Sequence, residues 1–362
     1  MPAKSSVTIL CSYVTLGVYI PALILHRSLL EKGFDCELMV LEHLFLQSKL
    51  SEIPKLKKAY HDNFRFAKTA AKMASKNNST SIDEEKLNTL YAGWERSHKR
   101  HFIIFSGFWN EIVNTYLRNR ANHKDFQVDL VHMDADLAPS WKSYDLSYGN
   151  IRLIKLFDAA QQKLSFYIPP ASEKFNSGPA VKERILIHGG GWGIGTYQQK
   201  LAEMIDRGIK LNVVAYETGD MTIRNSFIQY HLLDPQWEPC NNKQFTFPSM
   251  QKVSDSEEEH TEYDAYYPYY NLILESVAII SKPGGGTLND SISAGVPIIF
   301  LESFGDHECA NAKLWKDLGY GIDYEKWKEN NFSIELLEKL RINLSNARKD
   351  LKTVYQNYYE TN

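Results

Sequence analysis

Two stretches of the chain share one hydrophobic–polar grammar. They are "VTILCSYVTLGVYIPALILHRSLLEKGF", Val7 to Phe34, and "RILIHGGGWGIGTYQQKLAEMIDRGI", Arg184 to Ile209. Each opens with a short apolar run of β type and crosses a glycine-containing loop. Each then continues as an amphipathic helix closed by a charged residue and Gly. A second apolar run follows each one, "CELMVLE" and "KLNVVAYE". Strand–loop–helix–strand, read twice, predicts an α/β protein of two Rossmann-like, doubly wound domains in tandem.

The pattern changes between about 47 and 127, where the chain is polar and helix-prone, with an evident loop at "SKNNSTS". This predicts a helical insertion in the N-terminal domain, after which "VDLVHMD" resumes the sheet. The N-terminal domain is expected over 1–170. A linker over 171–183 is expected from the Pro, Ser and Gly of "PPASEKFNSGPAVKE". The C-terminal domain is expected over 184–335, with "SDSEEEHTEYD" as an acidic surface loop. Residues 336–362 read as amphipathic helices able to pack back on the N-terminal domain.

Composition narrows the class. A chain of 362 residues accommodates two cores, and 43% hydrophobic residues exclude disorder over most of its length. The net charge of −3 gives no basis for nucleic-acid binding. Cys11, Cys36, Cys240 and Cys309 are scattered without metal-like spacing and read as reduced thiols. The N-terminal stretch is too short and too interrupted by polar residues for a signal peptide, and no run reaches membrane-spanning length. A cytoplasmic protein is expected, with peripheral membrane contact left open.

Candidate chemistry sits in two glycine-rich loops. "HGGGWGIG" follows a strand and opens a helix, so Gly190, Gly191 and Gly193 allow close backbone approach near free helix N–H groups. A phosphate is the natural partner; a tight turn without ligand is the alternative. Neither the dinucleotide fingerprint nor the Walker lysine pattern fits. "KPGGGT" is a second such loop, with Gly285, Gly286 and Thr287, again between an apolar strand, "ESVAIIS", and a helix. Two such loops suit a diphosphate clamped between helix ends. Asp290, one turn into that helix, is placed to accept hydrogen bonds from a ribose diol, or simply satisfies the helix dipole.

The segment "SKPGGGTLNDSISAGVPIIFLESFGDHECANAKLWKDLGYG", Ser281 to Gly321, resembles the nucleotide-sugar site of GT-B glycosyltransferases. It is most similar to the branch with the lipid-II-forming GlcNAc transferase and the diacylglycerol glucosyltransferases. The resemblance implies that the Ser-Lys-x-Gly-Gly loop faces the diphosphate and that Asp290 holds the ribose. It implies sugar contacts by Glu308 and by Asn311 of the Asn-Ala pair with Ala312. Gly295 to Pro297, "GVP", also matches. His307 stands where related transferases of small molecules often have Asp, which leaves the sugar open. The implied donor is a UDP-sugar, with no further cofactor and no metal. The implied acceptor is a small molecule or lipid.

Inverting members of that family carry a base histidine near the end of the first loop. Here "GVYIP" puts Val18 at that position, and Val18 takes no proton. Three explanations follow: another base, such as His132, Asp134 or Asp136 of "HMDAD"; an acidic acceptor; or sugar-nucleotide binding without catalysis. His26 and His43 read as structural. The "DAD" triplet also resembles the metal-binding Asp-x-Asp of the other large glycosyltransferase fold, but the glycine loops already provide for phosphate. An epimerase acting on the donor alone is a further rival of the same fold.

In the insertion, Lys55, Lys58, Arg65, Lys72 and Lys76 fall near one helical face and Leu56, Tyr60, Phe64 and Ala67 on another. Such a helix can lie on anionic lipid, grip an acidic acceptor, or present a solvated face on a packed helix. "FIIFSGFWNEIVNTYL" reads as core or acceptor pocket. The expected activity is glycosyl transfer, with donor in the C-terminal domain and acceptor in the N-terminal one.

Overall fold

The computed structural model describes residues 6–74, 81–118, 120–143, 146–171, 182–241, 244–253, 261–262 and 267–359. Most of the expected linker, of the "SKNNSTS" loop and of the acidic loop therefore lies outside the described residues.

The N-terminal domain is a five-stranded parallel sheet. Its strands are β1 (Val7–Cys11), β2 (Cys36–Val40), β3 (His101–Ile104), β4 (Gln127–His132) and β5 (Asn150–Lys155), in the order β2-β1-β3-β4-β5. β1 is buried along its whole length, so its apolar residues serve both sheet faces, as parallel strands covered by helices require. Helix α1 (Leu16–Glu31) returns the chain from β1 to β2. The insertion folds as α2 (Gln47–Asp62), α3 (Phe64–Ala74) and α4 (Glu84–Arg96). It ends short of the expected bound near 127, because the apolar His101–Ile104 run is β3, paired in parallel with both β1 and β4. Asp83 caps α4 by accepting from the backbone N–H of Glu85 and Lys86.

The C-terminal sheet has eight strands. They are β6 (Arg184–Ile187), β7 (Lys210–Ala215), β8 (Ile228–Leu233), β9 (Met250–Lys252), β10 (Thr261–Glu262), β11 (Ser276–Ser281), β12 (Ile298–Phe300) and β13 (Gly321–Asp323). Their order is β10-β9-β8-β7-β6-β11-β12-β13. The pairings from β8 to β13 are parallel, and β9 and β10 add antiparallel edges. β6 and β11 are central neighbours, so the loops that follow them emerge side by side at the same sheet end.

The chain end crosses back. Lys352–Thr353 pairs in parallel with Phe166–Tyr167, and the Arg152 guanidinium lies 5.3 Å over the Tyr358 ring. Asn289, fully buried on the helix after β11, bonds both the N–H and the C=O of Ile168 at 2.8 and 3.0 Å. Where one domain gives way to the other, the crossing is thus tied to the helix that follows the second glycine loop. No helix among the described residues is long and apolar enough to cross a membrane.

Candidate functional site

The first glycine loop leaves β6 through His188. His188 is buried, and its Nδ1 accepts the Gly190 N–H at 2.9 Å. An imidazole that accepts at Nδ1 carries its proton at Nε2, which lies 2.5 Å from the Tyr269 hydroxyl. Burial, helped by nearby Lys282, pulls His188 down to about 3 and keeps the ring neutral. Nε2–H therefore donates to the Tyr269 oxygen, and the Tyr269 proton is left for the cavity that Tyr269 lines. Further along, the Tyr216 hydroxyl donates to the Gly190 carbonyl. Gly193 takes φ +65°, the left-handed region that glycine tolerates without cost.

The second loop leaves β11 and enters α5 (Gly285–Ala294), whose N-cap is Gly284. Glycine offers no side chain to cap the first turn, so its N–H groups are available to an anion. Lys282 lies between the two loops: a Cβ built on Gly190 or on Gly284 would stand 3.5 Å from its Nζ. Its ammonium pairs with Glu308 at 2.5 Å, and the other Glu308 oxygen accepts the Phe304 N–H at 2.7 Å. Glu308, with Asn311, sits on α6 (Asp306–Asp317).

The cavity between the domains is lined from the C-terminal side by His188, Gly190, Gly191, Gly286, Thr287 and Asp290, together with Tyr216, Tyr267 and Tyr269. Leu16, Gly17, Ile20 and Pro21 of α1 line it from the N-terminal side. Asp290 accepts from the Tyr267 hydroxyl at 3.0 Å. Burial pushes its carboxyl up to about 7, against that hydrogen bond.

Of the residues singled out from sequence, Gly190, Gly191, Gly286, Thr287 and Asp290 meet at this cavity. Asn311, Glu308, His307 and Lys282 gather beside it around Asp134. Asp134 is partly buried, and its Oδ1 accepts from Asn311 Nδ2 at 2.7 Å. Burial raises its carboxyl, outweighing the His307 charge and the Asn311 hydrogen bond. Asp136 is exposed. His132 is buried against Trp141, ring centroids 4.4 Å apart, and burial lowers it to about 4. Val18 packs partly buried on the main core. His26 and His43 lie outside the cavity lining.

The glycines also serve the domain contact. A Cβ on Gly285 would fall 2.6 Å from the Met133 carbonyl oxygen and 2.7 Å from Asp134 Oδ1. One on Gly286 would fall 2.9 Å from Gly17 Cα, and one on Gly191 2.7 Å from Leu16 Cβ. Gly286→Ala should therefore wedge the domains apart and cost about 1–3 kcal/mol of stability, as overpacking against rigid backbone does. A thermal midpoint equal to that of the unaltered protein would contradict this contact.

Helices α2 and α3 lie across the C-terminal domain. Tyr60 and Ala67 are buried in a cluster with Ile194, flanked by Phe64, Trp192 and Phe304. The apolar face of the insertion is thus covered by the first glycine loop and by Phe304, while Leu56 stays 38% exposed. Sequence reasoning assigned no role to His61, His188, Tyr216, Tyr267 or Tyr269. The available signals were a histidine abutting three glycines and a Tyr-Pro-Tyr run just before β11.

Two facing Rossmann-like domains, with glycine loops converging from adjacent strands, define the GT-B fold. SpnG, a spinosyn rhamnosyltransferase, matches with a TM-score of 0.60 over 99% of this chain and 100% of its own, at 11% identity. SnogD, a glycosyltransferase of Streptomyces nogalater, matches at 0.57 over 99% of each chain, also at 11% identity. MurG of Acinetobacter baumannii matches at 0.52 over 98% of each, at 13% identity. No protein-family model and no curated protein matches the sequence.

Proposed function

We propose that this protein transfers a sugar from a nucleoside diphosphate sugar, with UDP as the expected nucleotide, to a small-molecule or lipid acceptor. The observation that carries the reading is the convergence of two bare loops on Lys282 beside a cavity floored by Asp290. Lys282 and the α5 N-terminus would take the diphosphate, and Asp290 the ribose. Charge developing on the departing diphosphate would be met by groups already in place. SpnG has been solved with thymidine diphosphate and with spinosyn aglycone, which makes dTDP the second donor to test.

For the base, Asp134 is the residue proposed. It lies against Gly285 at the mouth of α5, and no hydrogen bond from a described residue reaches its Oδ2. A raised carboxyl is what a base working near neutral pH needs.

UDP, dTDP and their sugars are expected to raise the thermal midpoint; ligand at 100 times its Kd adds about 2.7 kcal/mol. Asp290→Ala should weaken nucleotide binding by about 1.5–3 kcal/mol, the worth of a charge-assisted hydrogen bond. Failure of every nucleoside diphosphate to stabilise the protein would reject the reading. An unchanged Kd in Asp290→Ala would reject the ribose assignment alone.

Val18 favours a second reading, donor binding without turnover. Incubation with donor separates the cases. Transfer needs an acceptor, an epimerase changes the donor alone, and a binding protein changes nothing.

A further inference from the structure

We infer that the helical insertion is a proton-dependent latch on the first glycine loop, with His61 of α2 as the positioning residue. His61 reaches across the domain boundary, and both ring nitrogens meet acceptors. Nδ1 lies 3.0 Å from the Gly193 carbonyl oxygen and Nε2 lies 2.8 Å from Asp220 Oδ1. Neither atom can donate, so both contacts are hydrogen bonds only when the ring carries two protons. The side chains are 9% and 5% exposed. Asp220 is itself held by Gln198 Nε2 at 2.6 Å and by the Tyr216 N–H at 2.7 Å, so His61 is pinned to a rigid turn.

The loop is therefore held at two points. Tyr216 takes the Gly190 carbonyl from its own domain, and His61 takes the Gly193 carbonyl from the other. Around this bond, Trp192 packs on Tyr60, centroids 5.6 Å apart, and lies 5.5 Å from Lys57 Nζ. Lys58 reaches Glu217 at 2.9 Å and Lys68 reaches Glu302 at 2.7 Å. Those two pairs are solvent-exposed and worth little, which leaves His61 as the buried polar tie among the described residues.

Loss of one proton selects which bond breaks. The remaining N–H stays with the carboxylate, the stronger acceptor. The Nδ1 lone pair then faces the Gly193 oxygen, and the loop is repelled. The groups facing His61 from the C-terminal domain are Asp220, Glu217 and Tyr216, with Tyr197 behind Asp220. Lys57, Lys58 and Asp62 are the charges nearby on its own helix. The hydrogen bond to Asp220, its charge, the Gly193 carbonyl and Glu217 together raise the imidazole pKa above its ordinary value, against burial. Asp220 stays ionised: burial pushes its carboxyl up, but His61 and the backbone donors more than offset that and hold it below the usual range. A raised histidine pKa stabilises the latched form fully below about 6.5, and that stability is lost as pH rises through the raised value.

What the latch controls rests on the donor-site reading above; the latch itself does not. The test uses the full chain labelled with 5-fluorotryptophan, the Trp192 resonance being identified by its loss in Trp192→Phe. In the unaltered protein this resonance should titrate with a midpoint above about 6.5, and the titration should vanish in His61→Gln. The Kd of UDP or dTDP is then compared between the two proteins. Groups common to both, including Asp290 and the phosphates, cancel in the ratio. The advantage of the unaltered protein should shrink about tenfold as pH rises through that midpoint. A Trp192 resonance that is flat, or that titrates equally in His61→Gln, overturns the latch. A titrating resonance with a constant affinity ratio overturns its control of the donor. If neither protein binds nucleotide, the resonance alone decides the latch, and it is the donor reading that falls.

Discussion

Asp134→Asn is expected to lower turnover by roughly 10²–10⁴, the range for losing a general base, while donor affinity stays nearly unchanged. The substitution keeps the shape, and the Asn carbonyl can still accept from Asn311 Nδ2, so the domain contact at 2.7 Å is preserved. Basicity is what it removes. The pH profile carries a second signature. Burial raises the Asp134 carboxyl, so activity should fall as pH drops through that raised value, where the base becomes protonated. Asp136→Asn is the matched control, because Asp136 shares the loop but is exposed. Steady-state rates with a reacting acceptor, measured for all three proteins across pH, decide the matter. Equal rates for Asp134→Asn and the unaltered protein would move the proposal to an acidic acceptor that needs no base.

Local pattern reveals a good part of this architecture. The paired units correspond to β1-α1-β2 and to the β6–β7 region, because buried parallel strands must be apolar throughout. The first glycine loop, however, does not open directly into a helix: 3-10 turns at Gly190–Trp192 and Tyr197–Lys200 come before a short helix, Leu201–Asp206. The placement of Gly286, Thr287 and Asp290 on one cavity follows from helix geometry alone, since residues a turn apart share a face. The apolar face of the insertion was also legible. Its cover was not, because Trp192 and Phe304 are distant in sequence from Tyr60 and Phe64. His61 illustrates the same limit. Its partner lies 159 residues away, and one histidine on a basic helix carries no mark of a carboxylate waiting across a cleft. The glycines are a subtler case. Sequence explains them by a ligand, and the fold uses Gly285 and Gly286 also for backbone contact with Met133 and Gly17. One residue type serves both purposes because both need the absence of a Cβ.

Asn311→Leu should cost about 3 kcal/mol or more and loosen the two domains from each other. Asn311 is fully buried, and two of its three amide hydrogen bonds cross to the N-terminal domain. Its Oδ1 accepts the Ala135 N–H at 2.7 Å, and its Nδ2 donates to Asp134 Oδ1 at 2.7 Å and to the Pro283 carbonyl at 2.8 Å. Leucine has similar bulk and fills the same space without polar atoms. The loss would therefore come from stranded partners: a buried N–H, a carbonyl and a carboxylate, each costing about 1–3 kcal/mol when left unpaired. Asp134 and Pro283 flank the second glycine loop, so the same change should disturb the donor loop. Denaturant unfolding measures the first effect and small-angle scattering the second, as a larger radius of gyration. Asn311→Asp separates the causes. It can still accept from Ala135 but sets a second carboxylate against Asp134, and it should be worse than Leu at neutral pH and partly recover in acid as the pair shares a proton. Stability within about 0.5 kcal/mol of the unaltered protein for Asn311→Leu would show that the domains hold together without this residue. Asn311 would then be free for the sugar hydroxyls that the sequence resemblance assigns to it.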